Sequence, residues 1–114
     1  MRGLDVRIPE EAVVPDAKVT HYLLVPKARN DKAKYLAQAG FTQDFPNELK
    51  VALQKQVTSN EAIEDRSNEY GTFYQVLGDL VGPNETRLPV VTIWLRRRID
   101  GKFQFVTLKP QKDA

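Results

Sequence analysis

The chain has no cysteine and only one histidine, His21, among its 114 residues. Without cysteine, disulfides, zinc–thiolate sites and a cysteine nucleophile are excluded. A metal site at His21 would also need two or three carboxylates, and the Asp and Glu residues show no spacing that is typical of metal ligands. We therefore expect a protein without a metal site.

Long apolar runs and cofactor motifs are missing as well. No run approaches the roughly 20 apolar residues that cross a bilayer, and the N-terminus lacks the apolar core of a signal peptide. The motifs of the P-loop, GxGxxG and GxSxG do not occur, so we expect no cofactor. A composition of 41% hydrophobic and 28% charged residues fits one globular, cytoplasmic domain. We assign the domain to residues 15–110, with an extended arm at 1–14 and a tail at 111–114.

Asp100 and Gly101 lie between two β-rich segments near the C-terminus. Asp-Gly in this position predicts a two-residue type I′ hairpin turn, because both residues accept a positive φ. In this register one face is apolar and predicted to be core: Val91, Ile93, Leu95, Val106 and Leu108. The other face mixes arginines, aromatic rings and hydroxyls, and is predicted to be exposed: Thr92, Trp94, Arg96, Arg98, Phe103, Phe105, Thr107 and Lys109. A three-residue loop with a bulge would slip this register.

Two of the segments before the hairpin have short helical patterns. Asp16 is predicted to cap the first helix, although Val19–Val25 alternates equally well as a strand. The second helix is predicted over residues 31–39, with Gly40 in the C′ position where a positive φ is favourable.

A third helix is predicted to begin with Asp44 as its cap and Pro46 in its first turn. Its buried stripe is predicted to be Leu49, Ala52, Leu53 and Val57. After it the pattern becomes β-like, with strands predicted over Ala62–Arg66 and Thr72–Leu80. The predicted fold is α+β, with two or three N-terminal helices packed on a roughly four-stranded antiparallel sheet.

The residue types that remain support one kind of metal-free chemistry. Cleavage of RNA through attack by its own 2′-OH requires a base, an acid, and cations that stabilise charge on the phosphorane. Lys, Arg, Tyr, Thr and a single His can supply these groups, and a ring such as Trp94 can stack on an unpaired base. The cluster Arg96-Arg97-Arg98 can bind phosphate. Its alternative interpretation is a solvated strand end that is charged against aggregation.

Four stretches carry a resemblance to a known family: VPDAKVTHYLLVP, DKAKYLAQAGF, YGTFYQVLGDLVGP, and VTIWL together with FVTLKP. They resemble a small, functionally uncharacterised bacterial domain family that occurs alone and as the C-terminal part of polymorphic toxins. The resemblance covers residues 14–110. The family in turn resembles the barnase–colicin–RelE-like class of toxin ribonucleases. A metal-independent ribonuclease that is neutralised by an antitoxin or immunity protein is what this resemblance implies.

The same resemblance implies residue roles. Lys34, Tyr74 and Thr107 match the family pattern and are expected at the scissile phosphate. His21 does not match the pattern, and we interpret it either as an acid or base or as a half-buried structural residue. Some relatives have a histidine where this chain has Gln56, so either His21 has taken over that role or activity is lost.

The sequence therefore predicts a toxin-type ribonuclease with RNA as its partner. Its predicted catalytic residues are His21, Lys34, Tyr74 and Thr107, and its predicted RNA-binding residues are Trp94, Arg96, Arg98 and Lys109. The alternative is a non-catalytic protein-interaction module, or a homodimer whose interface consists of Trp94, Phe103 and Phe105.

Overall fold

The computed structural model describes residues 7–9, 12–19, 23–24 and 32–111. In chain order it contains α1 (Asp16–Lys18), α2 (Lys32–Ala37), α3 (Pro46–Ser59), β1 (Ala62–Asn68), β2 (Gly71–Val81), β3 (Arg87–Arg97) and β4 (Phe103–Pro110). The strands form one antiparallel sheet in the order β1-β2-β3-β4. The predicted α+β fold is confirmed. No helix in the described ranges is long and apolar enough to span a bilayer.

The C-terminal end of α2 has the glycine termination that the sequence predicts. Gly40 has a φ of +92°. The N–H groups of Gly40 and Phe41 donate to the carbonyls of Ala37 and Leu36, at 3.0 and 3.3 Å. These two bonds are the Schellman pattern, which satisfies carbonyls that the last helical turn leaves open. Phe41 is thereby directed into the core together with Leu36.

The loop between β2 and β3 packs against this same end of α2. The backbone N–H and the side-chain amide of Asn84 donate to the carbonyls of Ala39 and Gln38, at 3.3 and 3.1 Å. Gly82 lies so close to Ala39 that a Cβ at position 82 would overlap the Ala39 carbonyl oxygen. A helix terminus and a hairpin loop therefore satisfy each other's polar backbone groups.

The predicted side-chain caps of the first and third helices are wrong. Asp16 is the first residue of α1 rather than its cap, and it forms an ion pair with Lys50 of α3 at 2.6 Å. Phe45, not Asp44, precedes α3, and it makes no side-chain capping bond. Pro46 does occupy the first turn as predicted, because its fixed φ and missing N–H suit that position.

The described residues after α1 are helical rather than extended. The N–H of Leu24 donates to the carbonyl of Val19 at 3.1 Å, which is an i→i+5 bond. Val19, Leu23 and Leu24 are all buried. For these residues the helical alternative is the correct one; the rest of the segment lies outside the described residues.

Part of the predicted N-terminal arm packs on the sheet. Val13 forms a parallel bridge with Gln104 at the edge of β4. Its N–H donates to Phe103 and its carbonyl accepts from Phe105, at 2.9 and 2.8 Å. Ile8 and Val14 are buried in the core. This segment therefore covers part of an otherwise open strand edge.

The β3–β4 hairpin has a longer loop than the Asp-Gly signal predicts. The N–H of Arg97 donates to the carbonyl of Lys102, so residues 98–101 form a four-residue loop. An ion pair of 3.1 Å between Arg97 and Asp100 spans it, and Asp100 also accepts from the N–H of Lys102. Gly101 has a φ of +71°. Because of these contacts and a bulge between Ile93 and Trp94, the register of the hairpin differs from the predicted one.

The faces of β3 are the reverse of the prediction. We call the sheet face that packs on α3 the inner face and the opposite one the outer face. Thr92 and Trp94 lie on the inner face and are fully buried, whereas Ile93 and Leu95 lie on the outer face and are half-buried. Leu108 is buried as predicted, but Val106 is only half-buried because it falls at the bulge.

The helical stripe of α3 covers the inner face. Leu49, Ala52, Leu53 and Val57 are buried as predicted, and Leu36 of α2 joins them. They pack against the inner-face residues of the strands: Val76, Leu80, Val90, Trp94, Phe105 and Leu108. Trp94 and Phe105 meet edge to face, with ring centroids 5.3 Å apart. These large rings explain why the Trp94 side of β3 is inside, since they remove more apolar area from water than Ile93 and Leu95 would.

Leu108→Ala should lower the free energy of unfolding by about 2–5 kcal/mol, because it leaves a cavity in the closed core. Ile93→Ala should cost about 1 kcal/mol, because this side chain is already half exposed. Urea unfolding of both variants checks the assignment. A larger loss for Ile93→Ala than for Leu108→Ala would contradict the placement of the two faces.

Candidate functional site

A buried polar network joins α3 to the middle of the sheet. The Trp94 indole N–H donates to the Thr92 hydroxyl at 2.8 Å, and this hydroxyl donates to Gln56 Oε1 at 2.9 Å. Gln56 Nε2 in turn donates to the Val76 carbonyl at 3.0 Å. Gln56 is 3% exposed and Thr92 is fully buried. Every side chain of the network has a partner, as buried polar groups require.

The network settles two expectations from the sequence. Trp94 is fully enclosed, so it cannot stack on an RNA base, and Trp94 and Phe105 cannot form a dimer interface. Gln56 uses both atoms of its amide inside the protein. We interpret the side chain at position 56 as a structural link between α3 and the sheet, and not as a group that contacts a substrate.

Beyond the helices, the inner face ends in a partly open row of polar residues. In the sheet register Glu64 lies opposite Tyr74, and Thr72 lies opposite Arg96, which in turn lies opposite Phe103. Side chains that are directly opposite have their Cβ atoms about 4.5–5.5 Å apart and point to the same face. We call these five residues the inner-face site.

The groups of this site have unused bonding capacity. Glu64 and Arg96 are exposed, and within the described part of the chain neither has an ion-pair partner. Tyr74 is 5% exposed, and its hydroxyl has no hydrogen-bond partner in the same residues. The Tyr74 hydroxyl is therefore free to donate a hydrogen bond to a ligand that supplies an acceptor.

Phe103 connects the members of the inner-face site. Its ring meets the Tyr74 ring edge to face, with centroids 5.4 Å apart. The Arg96 guanidinium lies 5.9 Å from the centroid of the same ring. Strand spacing places Glu64 and Arg96 on the order of 12 Å apart at their Cα atoms, because they are two strands and two residues apart. That separation leaves room for a phosphodiester between a carboxylate and a cation.

The other predicted catalytic residues lie elsewhere. Thr107 pairs with Ile93 of the outer face, and its hydroxyl accepts a bond of 2.8 Å from Lys32 of α2. Lys34 is exposed on α2. The register therefore does not place Thr107 on the same face as Tyr74. His21 lies outside the described residues.

The predicted RNA-binding arginines and lysine are exposed but spread out. Arg96 belongs to the inner-face site, and Arg98 lies in the β3–β4 loop, where its guanidinium donates to the Asn68 carbonyl at 2.9 Å. Lys109 lies opposite Val91 near the far end of β4. Of these three residues, only Arg96 and Arg98 are close enough along the chain to contact the same strand of RNA. The prediction that the four residues form one surface is wrong, because the register and the loop differ from those expected.

Glu64 was missed in the sequence because its segment, Ala62–Asn68, has no alternation of apolar and polar residues. Six consecutive residues of β1 are exposed after Ala62, and a register shift lies between Glu64 and Ser67. Only the pairing with Tyr74 shows which carboxylate reaches the inner face. The described residues contain no group of three or more His, Asp or Glu that could hold a metal ion.

The family model described as a domain of unknown function, DUF6883, matches residues 7–112. The chain belongs to this family. The match includes every helix and strand of the DUF6883 domain described above. The resemblance to a functionally uncharacterised family is thus confirmed at that level. No curated protein matches the chain in sequence.

Among solved structures, the DUF6883 domain is similar to one chain of the "Contact-dependent growth inhibition toxin - immunity protein complex from Klebsiella pneumoniae 342". The TM-score is 0.68 at 19% sequence identity, and the alignment covers 88% of this chain and 100% of that chain. A likeness at this level of identity shows a shared fold, and folds of one kind carry different functions.

Thr92→Val should lower the free energy of unfolding by about 1–3 kcal/mol, because it leaves the buried Trp94 indole N–H and Gln56 Oε1 without a partner. Thr58→Val is the matched control, since the Thr58 hydroxyl only bonds back to its own helix. Trp94 is the only tryptophan, so its single indole N–H resonance in an NMR spectrum should shift and exchange faster in Thr92→Val alone. Equal losses in both variants would contradict the network.

Proposed function

We propose that the DUF6883 domain is a toxin-type ribonuclease that cleaves RNA through attack by the RNA's own 2′-OH, with the inner-face site as its centre. One observation carries the proposal. In the sheet register Glu64 lies opposite Tyr74 and Arg96 lies diagonally across from it, and in the described part of the chain neither charge has an ion-pair partner and the Tyr74 hydroxyl has no acceptor. A scissile phosphate would supply that acceptor.

The proposed reaction assigns a separate task to each group. The Glu64 carboxylate takes the proton from the 2′-OH as the general base, and the 2′ oxygen attacks phosphorus. The P–O5′ bond breaks, which gives a 2′,3′-cyclic phosphate and a 5′-hydroxyl end. Arg96 stabilises the charge on the phosphorane, and Tyr74 donates to a non-bridging oxygen. His21 remains the proposed acid that protonates the leaving 5′ oxygen.

The surroundings of the site fit a single RNA strand. Phe103 is half-buried beside Tyr74 and supplies an aromatic ring near the position of a splayed base. Arg98 and Lys102 are exposed in the adjoining loop and can contact the flanking phosphates. Lys34, Thr107 and Lys109 are proposed as more distant contacts on the α2 side. Such an enzyme would act on RNA in the cytoplasm.

The likeness to the Klebsiella complex supports a toxin-related role for the DUF6883 domain. By that likeness we propose that a dedicated immunity protein or antitoxin binds the domain and blocks its activity. The exposed carboxylate, guanidinium and loop arginine favour the toxin side of such a pair, because an RNA-cleaving site needs these groups and a purely inhibitory protein does not.

A non-catalytic binding protein is the second candidate. It is favoured by one observation: the similar chain belongs to a complex that contains an immunity protein as well as a toxin. Tyr70 and Ile99 are also exposed side by side in neighbouring turns, which the bond from Arg98 N–H to the Tyr70 carbonyl joins. Exposed aromatic and aliphatic side chains among arginines are typical of protein interfaces.

Glu64→Gln should reduce cleavage of total RNA in EDTA by about 100-fold or more, because the general base is lost while the size of the side chain is kept. Glu85→Gln is the matched control, since Glu85 lies in the β2–β3 loop at the opposite end of the sheet. The chemical reactivity of the product ends shows which groups they carry, and a 2′,3′-cyclic phosphate is expected. Binding of RNA without any cleavage by the wild type would favour the second candidate, and equal cleavage by Glu64→Gln would remove Glu64 from the mechanism.

Arg96→Ala should weaken binding of a single-stranded RNA and lower the salt slope of log K by about 0.7, because one phosphate contact is lost. Arg87→Ala is its control on the same strand, nine residues away and thus roughly 30 Å along β3. Fluorescence anisotropy at several salt concentrations gives both slopes. Identical slopes for the two variants would contradict an RNA path across the inner-face site.

A further inference from the structure

β2 extends beyond its neighbour β1 at one end. β1 begins at Ala62, which lies opposite Val76, whereas β2 continues to Val81. In the described chain no strand pairs with residues 77–81 of β2 on the β1 side. The end of β2 is therefore a free strand edge, although the rest of β2 has a neighbouring strand on each side.

The hydrogen-bond pattern shows which backbone groups this edge presents. Gly82 N–H donates to the Thr86 carbonyl. Every second residue before it, Leu80 and Gly78, therefore also bonds to β3. Opposite Asp79, the Pro89 carbonyl accepts from Gln111 on the β4 side. Both observations indicate that the N–H and C=O groups of Asp79 and Val81 point away from β3 and towards the free edge.

α3 runs beside this edge and forms the second wall of a groove. Two adjoining cavities of about 460 and 410 Å³ make up the groove, and they share Ala52, Lys55 and Val81 in their linings. One cavity is mainly apolar, with Phe41 and Val51 beside the shared residues. We call the whole the α3–β2 groove.

The second cavity contributes charge. Asp79 and Arg87 line it together with Lys55. In the described structure none of the three has an ion pair or a side-chain hydrogen bond with another residue. Charges of both signs therefore remain available at the rim of a groove whose floor is apolar.

We propose that the α3–β2 groove binds an extended segment of another polypeptide, which adds to β2 as a strand where β1 stops. The backbone groups of Asp79 and Val81 are about 6.8 Å apart, which is the repeat that an extended peptide complements. The apolar cavity takes one side chain of the peptide, and Lys55, Asp79 and Arg87 pair with its charged residues. A small molecule would leave the alternating donors and acceptors of the edge without partners.

This surface is separate from the inner-face site. Arg87 is the first residue of β3 and Arg96 lies near its other end, and the groove lies at the Arg87 end. A polypeptide in the groove would therefore leave the proposed RNA site open. The inference does not depend on ribonuclease activity, and its test uses a different measurement.

The first experiment is amide hydrogen exchange of the full chain, followed residue by residue by NMR. The N–H groups of Asp79 and Val81 should exchange fast, whereas those of Gly78 and Leu80, which bond to β3, should be protected. Protection of Asp79 and Val81 that increases with protein concentration would show that a second copy fills the edge. That result, or protection at every concentration, would overturn the proposal.

The second experiment uses random peptides of about ten residues displayed on phage, selected on the immobilised full chain and then synthesised. Selected peptides should protect the Asp79 and Val81 amides. Val81→Pro should weaken their binding about tenfold or more, because proline removes the edge donor but keeps an apolar side chain of similar size. Val81→Ala keeps the donor and is the matched control, with a smaller loss expected.

The fold of Val81→Pro is checked by the protection of the β3 amides and by the indole resonance of Trp94, which should be unchanged. If this variant unfolds, amide protection in the wild-type complex still decides the question. Failure to select any peptide, or selected peptides that leave the Asp79 and Val81 amides unprotected, would overturn the proposal. Neither outcome bears on RNA cleavage.

Discussion

The hydroxyl of Thr92 is the contact on which the arrangement of the sheet depends. It accepts from Trp94 and donates to Gln56, and so holds a helix and the only tryptophan in one fixed relation. A threonine in a closed core is unfavourable unless its hydroxyl is bonded, so this pairing is also what permits the Thr92–Trp94 side of β3 to face inward. A register slip by one residue would bring Ile93 and Leu95 inside and leave Gln56 Oε1 without the Thr92 hydroxyl as its partner.

That constraint also determines where the polar residues of the sheet end up. With Trp94 inside, the alternation of β3 places Arg96 on the same face, just beyond the cover of α3. The same alternation on β1 and β2 brings Glu64 and Tyr74 to that face. The inner-face site is thus a continuation of the core into solvent, with an apolar floor and charged groups at its rim. Charges in such surroundings interact more strongly than on an open surface.

The sequence predicted those parts of the fold that rest on local signals. The helix pattern of Leu49, Leu53 and Val57, the proline at the start of α3 and the glycine at the end of α2 are each decided within a few residues. The antiparallel sheet follows from the short connections between consecutive strands. The faces of β3 could not be obtained in this way, because alternation alone gives two equivalent choices. The decision lies in the contact of Thr92 with Gln56, which is distant in sequence, and in the loop contacts of Asp100. The site was predicted only in part: Tyr74 and Arg96 were named from the sequence, whereas Glu64 has no local signature.

The contact between the end of α2 and the β2–β3 loop has a consequence for how the chain folds. Gln38 and Asn84 are 46 residues apart, and everything between them, including α3, β1 and β2, lies inside the loop that their contact closes. The carbonyls of Gln38 and Ala39 and the donors of Asn84 find each other only when the helices and the sheet are packed together. The helical half and the sheet half should consequently form and melt as one cooperative unit, and a polypeptide cut between α3 and β1 would have to recover the fold by association of its two fragments.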